Sequence, residues 1–240
     1  MPSQPNYTLA PHLAPFAVPL PQFRAINDQY AHFVGGALIF SRTVPCTPEN
    51  QEEREDAKTL LRILLLQRSY EDSYGGQWEG PGGSIDPDDA NILDGVAREV
   101  LEESGLHVSR FVELAGKEEW VRQRPDRADL VVKFTFIVEV HEAKPAVSTR
   151  DGEGDGNGVP ADTLANGGVA PALERRWEEM VSLDPAEHRD FKWVTEEEVR
   201  EGEEDLTGKY KSFAGMGRVI LGAFRMMRER ALLDGSDSGA

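Results

Sequence analysis

Glu99, Glu102 and Glu103 stand at i, i+3 and i+4 within residues 91–104, a stretch whose pattern predicts a helix. At about 100° per residue their carboxylates share one side of it. Leu93, Val96, Ala97, Val100 and Leu101 collect on the other side, giving the helix an apolar stripe to bury. An acidic helix face is ordinarily solvated, and like charges at this spacing repel by about 0.2–0.5 kcal/mol. Two neighbours open a second reading. Arg98 lies four residues before Glu102 and can pair with it, while Gly82-Gly83 just upstream lets backbone approach a ligand closely. Hard oxygen ligands clustered in this way suit Mg2+ or Mn2+, held by carboxylates together with substrate phosphates.

The elements that must position these residues can be traced along the chain. Residues 1–30 are proline-rich without periodicity and read as an extended arm, with Phe16, Val18, Leu20 and Phe23 able to strap it across a domain spanning 31–235. Residues 32–41 and 62–68 are apolar runs of strand length, separated by a polar connection, 42–58, that contains Cys46. Gln77, Trp78, Glu79, Gly80 and Pro81 lead into the Gly82-Gly83 turn. After the acidic helix, 112–121 and 129–140 read as strands joined by a charged turn at 122–127. The second alternates, with Val132, Phe134, Phe136, Val138 and Val140 forming a wholly apolar face that belongs in a core, and Val131, Lys133, Thr135, Ile137 and Glu139 pointing the other way.

Residues 142–171, rich in Gly, Asp, Ala and Pro, read as a flexible insertion. Its Asp151, Glu153, Asp155, Gly156 and Asp162 loosely imitate a calcium-binding loop. Helical flanks are missing, Pro160 interrupts it and the last position lacks the bidentate Glu, so an acidic linker is the better reading. Residues 172–181 look helical, with Leu173, Trp177, Met180 and Val181 on one face. Thr195 and Glu198 form a capping box that starts another helix. A final helix over 210–233 carries Phe213, Met216, Val219, Ile220, Phe224, Met227 and Leu232 as core, and 236–240 form a disordered tail.

Composition narrows the function classes. The 240 residues are 39% hydrophobic, enough for one sizeable core with polar extensions. A formal net charge of −17 argues against polymeric nucleic acid as the main ligand, because binding a phosphate backbone draws on Lys and Arg clusters. A small phosphorylated substrate remains compatible, with a divalent metal screening its phosphates from the acidic site. The single cysteine excludes an internal disulfide and a cysteine-based zinc site, which makes a reducing, cytoplasmic compartment the expectation. Neither a membrane-length apolar run nor the features of a signal peptide are present, so no membrane partner is expected. Oligomeric state stays open, a homodimer included.

The acidic stretch resembles the box of the Nudix hydrolases, GX5EX7REUXEEXGU with U aliphatic. Arg98, Glu99, Val100, Glu102, Glu103, Gly105 and Leu106 fill REUXEEXGU without a gap, and Gly83 takes the opening glycine. The middle departs from the pattern: Asp89 occupies the first Glu position, eight residues instead of seven separate it from Arg98, and Gly95 interrupts the helix. A second likeness lies downstream, where Glu187 and His188 precede a strand ending in Trp193-Val194, as in many relatives.

The resemblance implies a Nudix-type α/β/α sandwich with a mixed sheet, and Mg2+-dependent (or Mn2+-dependent) hydrolysis of a diphosphate bond in a small nucleotide-type substrate. On this reading Glu99, Glu102, Glu103 and Gly83 form the metal site, Arg98 orients the carboxylates and Gly82 and Gly83 shape the loop beside the phosphates. Either a box glutamate or Glu187 takes the proton of the attacking water. Arg68 and Trp78 are candidate substrate contacts; Trp78, Trp120, Phe134 and Trp177 could stack on a base, although a place in the core is the better reading for each ring. Two alternatives remain on the same scaffold, a ligand-binding or regulatory domain without catalysis and a diphosphate isomerase. Nucleoside triphosphates, nucleotide sugars such as ADP-ribose, and dinucleoside polyphosphates all stay open as substrates.

Overall fold

A computed structural model describes residues 6–43, 60–71, 74–143, 176–204, 209–212 and 215–236. Among them, seven strands form one mixed sheet: β1 (Thr8–Leu9), β2 (His32–Thr43), β3 (Leu60–Arg68), β4 (Trp78–Glu79), β5 (Val108–Gln123), β6 (Ala128–Val140) and β7 (His188–Thr195). The order is β1-β5-β6-β2-β3-β4, with β7 on β3. β1 runs parallel to β5 and β2 parallel to β6, while the other pairs are antiparallel. Four α-helices cover it: α1 (Leu20–Ile26), α2 (Ile92–Ser104), α3 (Glu196–Glu204) and α4 (Met216–Ser236). This is the expected α/β/α sandwich.

Strand alternation divides the core between the two faces. Ala37, Ile39, Leu64, Leu66, Val132, Phe134, Phe136 and Val138 pack with Ile92, Leu93, Val96 and Val100 of α2. Leu38, Ile63, Leu65 and Ile137 turn the other way and meet Val199 of α3 and Met216, Ile220 and Phe224 of α4. In β6 the face expected to be apolar is buried against α2, and its opposite face is buried as far as Ile137, with Glu139 exposed: Lys133, Thr135 and Ile137 are 7%, 1% and 2% exposed. The reason is position, because β6 lies inside the sheet with helices over both faces.

The amino-terminal residues are more structured than an extended arm. Besides β1, Pro11–Ala17 form a 3-10 helix and α1 follows, with Leu13, Leu20 and Phe23 buried in the α2-side core. Prolines at the first turns leave both helices possible, since the N–H they lack has no partner there anyway. This segment is tied to the acidic stretch. The Tyr7 hydroxyl donates to Asp94 Oδ1 (2.6 Å), the Leu20 N–H to the Ala90 carbonyl (2.8 Å) and Arg24 to the Ile85 carbonyl (3.5 Å).

The Thr195–Glu198 capping box forms as expected: Thr195 N–H donates to Glu198 Oε2 (2.9 Å) and Glu198 N–H to Thr195 Oγ1 (3.3 Å). Of the helix expected at 172–181, residues Trp177–Glu179 make only a 3-10 turn, with Trp177 packed edge-on against Trp193. Residues 144–171 with their calcium-loop-like acids, the connection holding Cys46, Phe213, and the tail beyond Ser236 lie outside the described residues. Among the described residues no helix is long and apolar enough to cross a membrane.

Candidate active site

Helix α2 is set in place at both ends. Asn91 caps it, accepting the Asp94 N–H at 3.0 Å, and Gly105 ends it in the left-handed region at φ 70°, returning its N–H to Leu101 at 2.9 Å. The loop from Pro81 to Ile85 is stitched to the first half of β2 through Ala37 N–H to Pro81 O, Gly35 N–H to Gly83 O and Ile85 N–H to Phe33 O. It therefore lies beside β2 where β3 has not yet begun to pair, directly above the acidic side of α2.

The three helix carboxylates differ in their surroundings. Glu103 is 3% exposed, and its Oε2 accepts the Gly82 N–H at 2.7 Å. Glu99 is 9% exposed and lies under Gly83, where a Cβ would sit 2.7 Å from each of its carboxylate oxygens. Any side chain at 83 would displace that carboxylate. Glu102 is exposed and pairs with Arg98 at 2.9 Å. Arg98 also reaches Glu99 Oε1 (3.0 Å), the Ser84 carbonyl (3.0 Å) and both oxygens of Asp89 (3.1 and 3.0 Å). Its hydrogen bond to Asp89 is the leading reason that its guanidinium is held even more firmly in the charged form. One arginine thus orients two helix carboxylates and fixes the loop against them.

The irregular middle of the box now has a physical account. Asp89 accepts both Arg98 and the Asp86 N–H (2.8 Å), so the extra residue is absorbed without losing the carboxylate at that place. Gly95 makes room for it: a Cβ there would meet Asp89 Oδ2 at 2.7 Å and Ile85 Cδ1 at 2.6 Å. Helix propensity alone favours Gly95→Ala by about 1 kcal/mol. Because the methyl would push Asp89 off its partners, the substitution is instead expected to lower stability by about 1–2 kcal/mol, read by urea denaturation. A gain in stability would show that the loop yields freely.

β7 brings a further acid and an imidazole to the same place. Its pairing with β3 sets His188 beside Arg68, and among the described residues Glu103, Glu187 and His188 offer ligand atoms all within 4.8 Å of one another. Glu187 is exposed and His188 is 1% exposed. Glu79 of β4, 8% exposed, faces the cluster too, with Arg68 on its Oε1. His188 and Glu79 were not among the residues expected at the site. The signals were their adjacency to Glu187 and to the box, but only the β3–β7 and β3–β4 pairings bring them to Glu103. Trp78, a candidate substrate contact, takes its core alternative instead: it is 5% exposed and packs edge-on against Tyr210 in the α4-side core. Phe134 is likewise buried, on the α2 side.

Burial raises the pKa of Glu99 and pushes that of Glu103 up to about 9, with the negative charges of Glu79, Glu99 and Glu187 adding to the rise at Glu103. Carboxylates gathered so closely suit a hard divalent cation, and the donor set fits Mg2+ or Mn2+, with the imidazole better matched to Mn2+. A testable consequence concerns stability. The unfolded chain releases the Glu103 proton near 4.5 and the folded one near 9, so between these values the folded state binds more protons and loses stability as pH rises. Urea unfolding of metal-free protein between pH 5.5 and 8.5 is expected to show a loss on the order of 1–3 kcal/mol, which Glu103→Gln removes and Mg2+ offsets. A flat profile would contradict it.

The fold and site together are those of an α/β/α sandwich in which a glycine turn is pressed onto buried carboxylates of a helix. A family model, the NUDIX domain, matches residues 41–173, more than half of the chain. The chain belongs to the Nudix family, whose members are hydrolases acting on diphosphate bonds. Comparison with curated proteins gives no match. Solved structures similar to it include a MutT protein from Methanosarcina mazei Go1, at 24% identity over 70% of this chain and 79% of that one, with a TM-score of 0.37. The NUDIX domain of Shewanella oneidensis NrtR, complexed with ADP ribose, is 15% identical over 81% and 87%, with a TM-score of 0.46. A C. elegans Ap4A hydrolase in a binary complex is 16% identical over 83% and 99%, with a TM-score of 0.42.

Proposed function

We propose that this protein is a Mg2+- or Mn2+-dependent hydrolase of the diphosphate bond in a nucleoside diphosphate derivative: a nucleoside triphosphate, a nucleotide sugar such as ADP-ribose, or a dinucleoside polyphosphate. The observation that carries the reading is the convergence of buried Glu99 and Glu103 beneath Gly82-Gly83 with Glu187 and His188 alongside. Glu99, Glu102 and Glu103 would hold the metal, joined by Glu187 or His188, and the ion would supply charge neutralisation at the phosphoryl oxygens and activation of water.

The chain's own groups do the rest. Arg98 fixes the carboxylate orientations through its bonds to Glu99 and Glu102. The Gly82-Gly83 backbone, free of side chains, lets the diphosphate lie close to Glu99 and Glu103. Arg68 stands at the same cleft through Glu79, a position from which a guanidinium can meet phosphate. Glu187, exposed and beside Glu103, is placed to take the proton of the attacking water, and a box glutamate is the other group within reach of the same step. A cytoplasmic location belongs to the proposal and rests on cysteine usage alone.

The test is a hydrolysis panel over the three substrate groups with Mg2+ and Mn2+, its nucleotide and phosphomonoester products separated by chromatography, run beside Glu102→Gln. Turnover that needs metal and drops in the variant supports the reading and names the substrate class. Folded, metal-loaded wild type that hydrolyses nothing in the panel overturns it.

A further inference from the structure

α3 and α4 lie on the face of the sheet opposite α2, and they enclose a cavity of about 370 Å3 lined by Arg200 of α3 and by Arg218, Arg225 and Arg228 of α4. In a chain of net charge −17 this is a local reversal of sign. α3 is rich in acids, yet Glu196 is its one carboxylate at the cavity among the described residues; Glu198 turns back to Thr195, and Glu203 is engaged by Ser212. Glu196 pairs with Arg200 at 2.9 Å and also with Arg228, so one negative charge is shared by two guanidinium groups. Arg218 and Arg225 make no hydrogen bond or ion pair among the described residues, and Arg218 feels only the longer-range attraction of Glu118 on β5.

The cavity has room as well as charge. Arg218 and Arg225 stand two turns apart on α4, about 10 Å along its axis at 1.5 Å per residue. Gly222 lies between them on the same side, and a Cβ built there would meet nothing within 4 Å. Leu221 beside it is half-buried and adds an apolar wall. The volume falls at the lower end of small-molecule sites. Four positive charges face one negative across it, and guanidinium forks match phosphate oxygens in pairs. Carboxylates on one side of an extended peptide recur only about every 7 Å, so a peptide over this length would bring one or two of them. Phosphates linked in a chain bring more charge over the same distance.

We propose that the groove between α3 and α4 binds a linear polyphosphate, either free or as the tail of a nucleotide. Arg218 and Arg225, without ion-pair partners of their own, grip its oxygens at two points, and the bare Gly222 lets the chain lie close to α4. Because arginines of both helices take part, the ligand ties α3 to α4. The site needs no metal, lies across the sheet from the carboxylate cluster, and is independent of the hydrolase reading.

The probe is inorganic tripolyphosphate, titrated calorimetrically into the full chain at low salt with EDTA present, so that binding through a metal at the carboxylates does not contribute. Arg218→Gln and Arg225→Gln are each expected to weaken binding by about 10-fold or more, and Arg225→Lys by less than Arg225→Gln. Gly222→Leu leaves every charge in place and fills the open space, and is expected to weaken binding to a similar degree. Arg122→Gln, at an exposed arginine of β5, is expected to change nothing. ATP that binds in EDTA and loses affinity in the same variants supports the site with a nucleotide tail as its source; tripolyphosphate binding without ATP binding supports it with free polyphosphate. Unchanged tripolyphosphate affinity in Arg218→Gln, Arg225→Gln and Gly222→Leu overturns the proposal, as does a wild type that does not bind tripolyphosphate. Hexaglutamate bound more tightly than tripolyphosphate overturns the assignment to phosphate.

Discussion

Glu103→Gln is expected to lower diphosphate turnover by about 10²- to 10⁴-fold, whether the lost carboxylate served as metal ligand or as base. The glutamine is chosen because its carbonyl oxygen can still accept the Gly82 N–H that Glu103 Oε2 accepts now, at 2.7 Å. The side chain is 3% exposed, so an amide of the same shape leaves packing in place and removes the carboxylate that could ionise against a bound metal or take a proton. Steady-state kinetics at saturating Mg2+, with circular dichroism of the variant, reads the effect. Activity within tenfold of wild type would take Glu103 out of the chemistry and shift its role to holding the glycine turn.

Gly82→Ala should produce the largest loss of stability, about 2–5 kcal/mol. Gly82 sits at φ 155°, which an L side chain rarely adopts, and a Cβ there would lie 2.3 Å from the Gly35 carbonyl oxygen and 2.6 Å from Gly36 Cα. Both obstacles are backbone of β2, so no rotamer change relieves them. Movement of the turn would also withdraw the N–H from Glu103, and turnover should fall with stability. Denaturant unfolding paired with the kinetic assay tests this. A variant as stable as wild type would mean that the turn has slack at position 82.

How far this architecture can be read from the chain depends on the range of the forces involved. α2 is legible because its signals are local: an apolar stripe, a capping Asn91 and a terminating Gly105 lie within one stretch. So are β2, β3 and β6, whose apolar runs exceed what a loop would carry. The acidic set Glu99, Glu102 and Glu103 and the clamp Arg98 follow from helical spacing. Asp89 and Gly95, by contrast, look like defects in a motif until the carboxylate is seen lying over the glycine. His188 and Glu79 join the site only through strand pairing, which residue order does not announce. Trp78 illustrates the remaining ambiguity, since an indole before a glycine turn can stack on a ligand or fill a core, and the side on which Tyr210 arrives decides between them. The burial of both faces of β6 likewise depends on neighbours contributed from elsewhere in the chain.

The bonds from Tyr7 and Arg24 to Asp94 and Ile85 join residues 87 and 61 positions apart. Each closes a long loop of chain, and the entropy of such closure must be met before the contact rewards it. Tyr7 and Arg24 therefore have to wait for the acidic helix and its loop to exist before they can settle over them. Maturation of the site becomes a late event in folding: in a stopped-flow refolding experiment, helical and sheet signals should develop ahead of metal affinity, with the interval set by the docking of those opening residues.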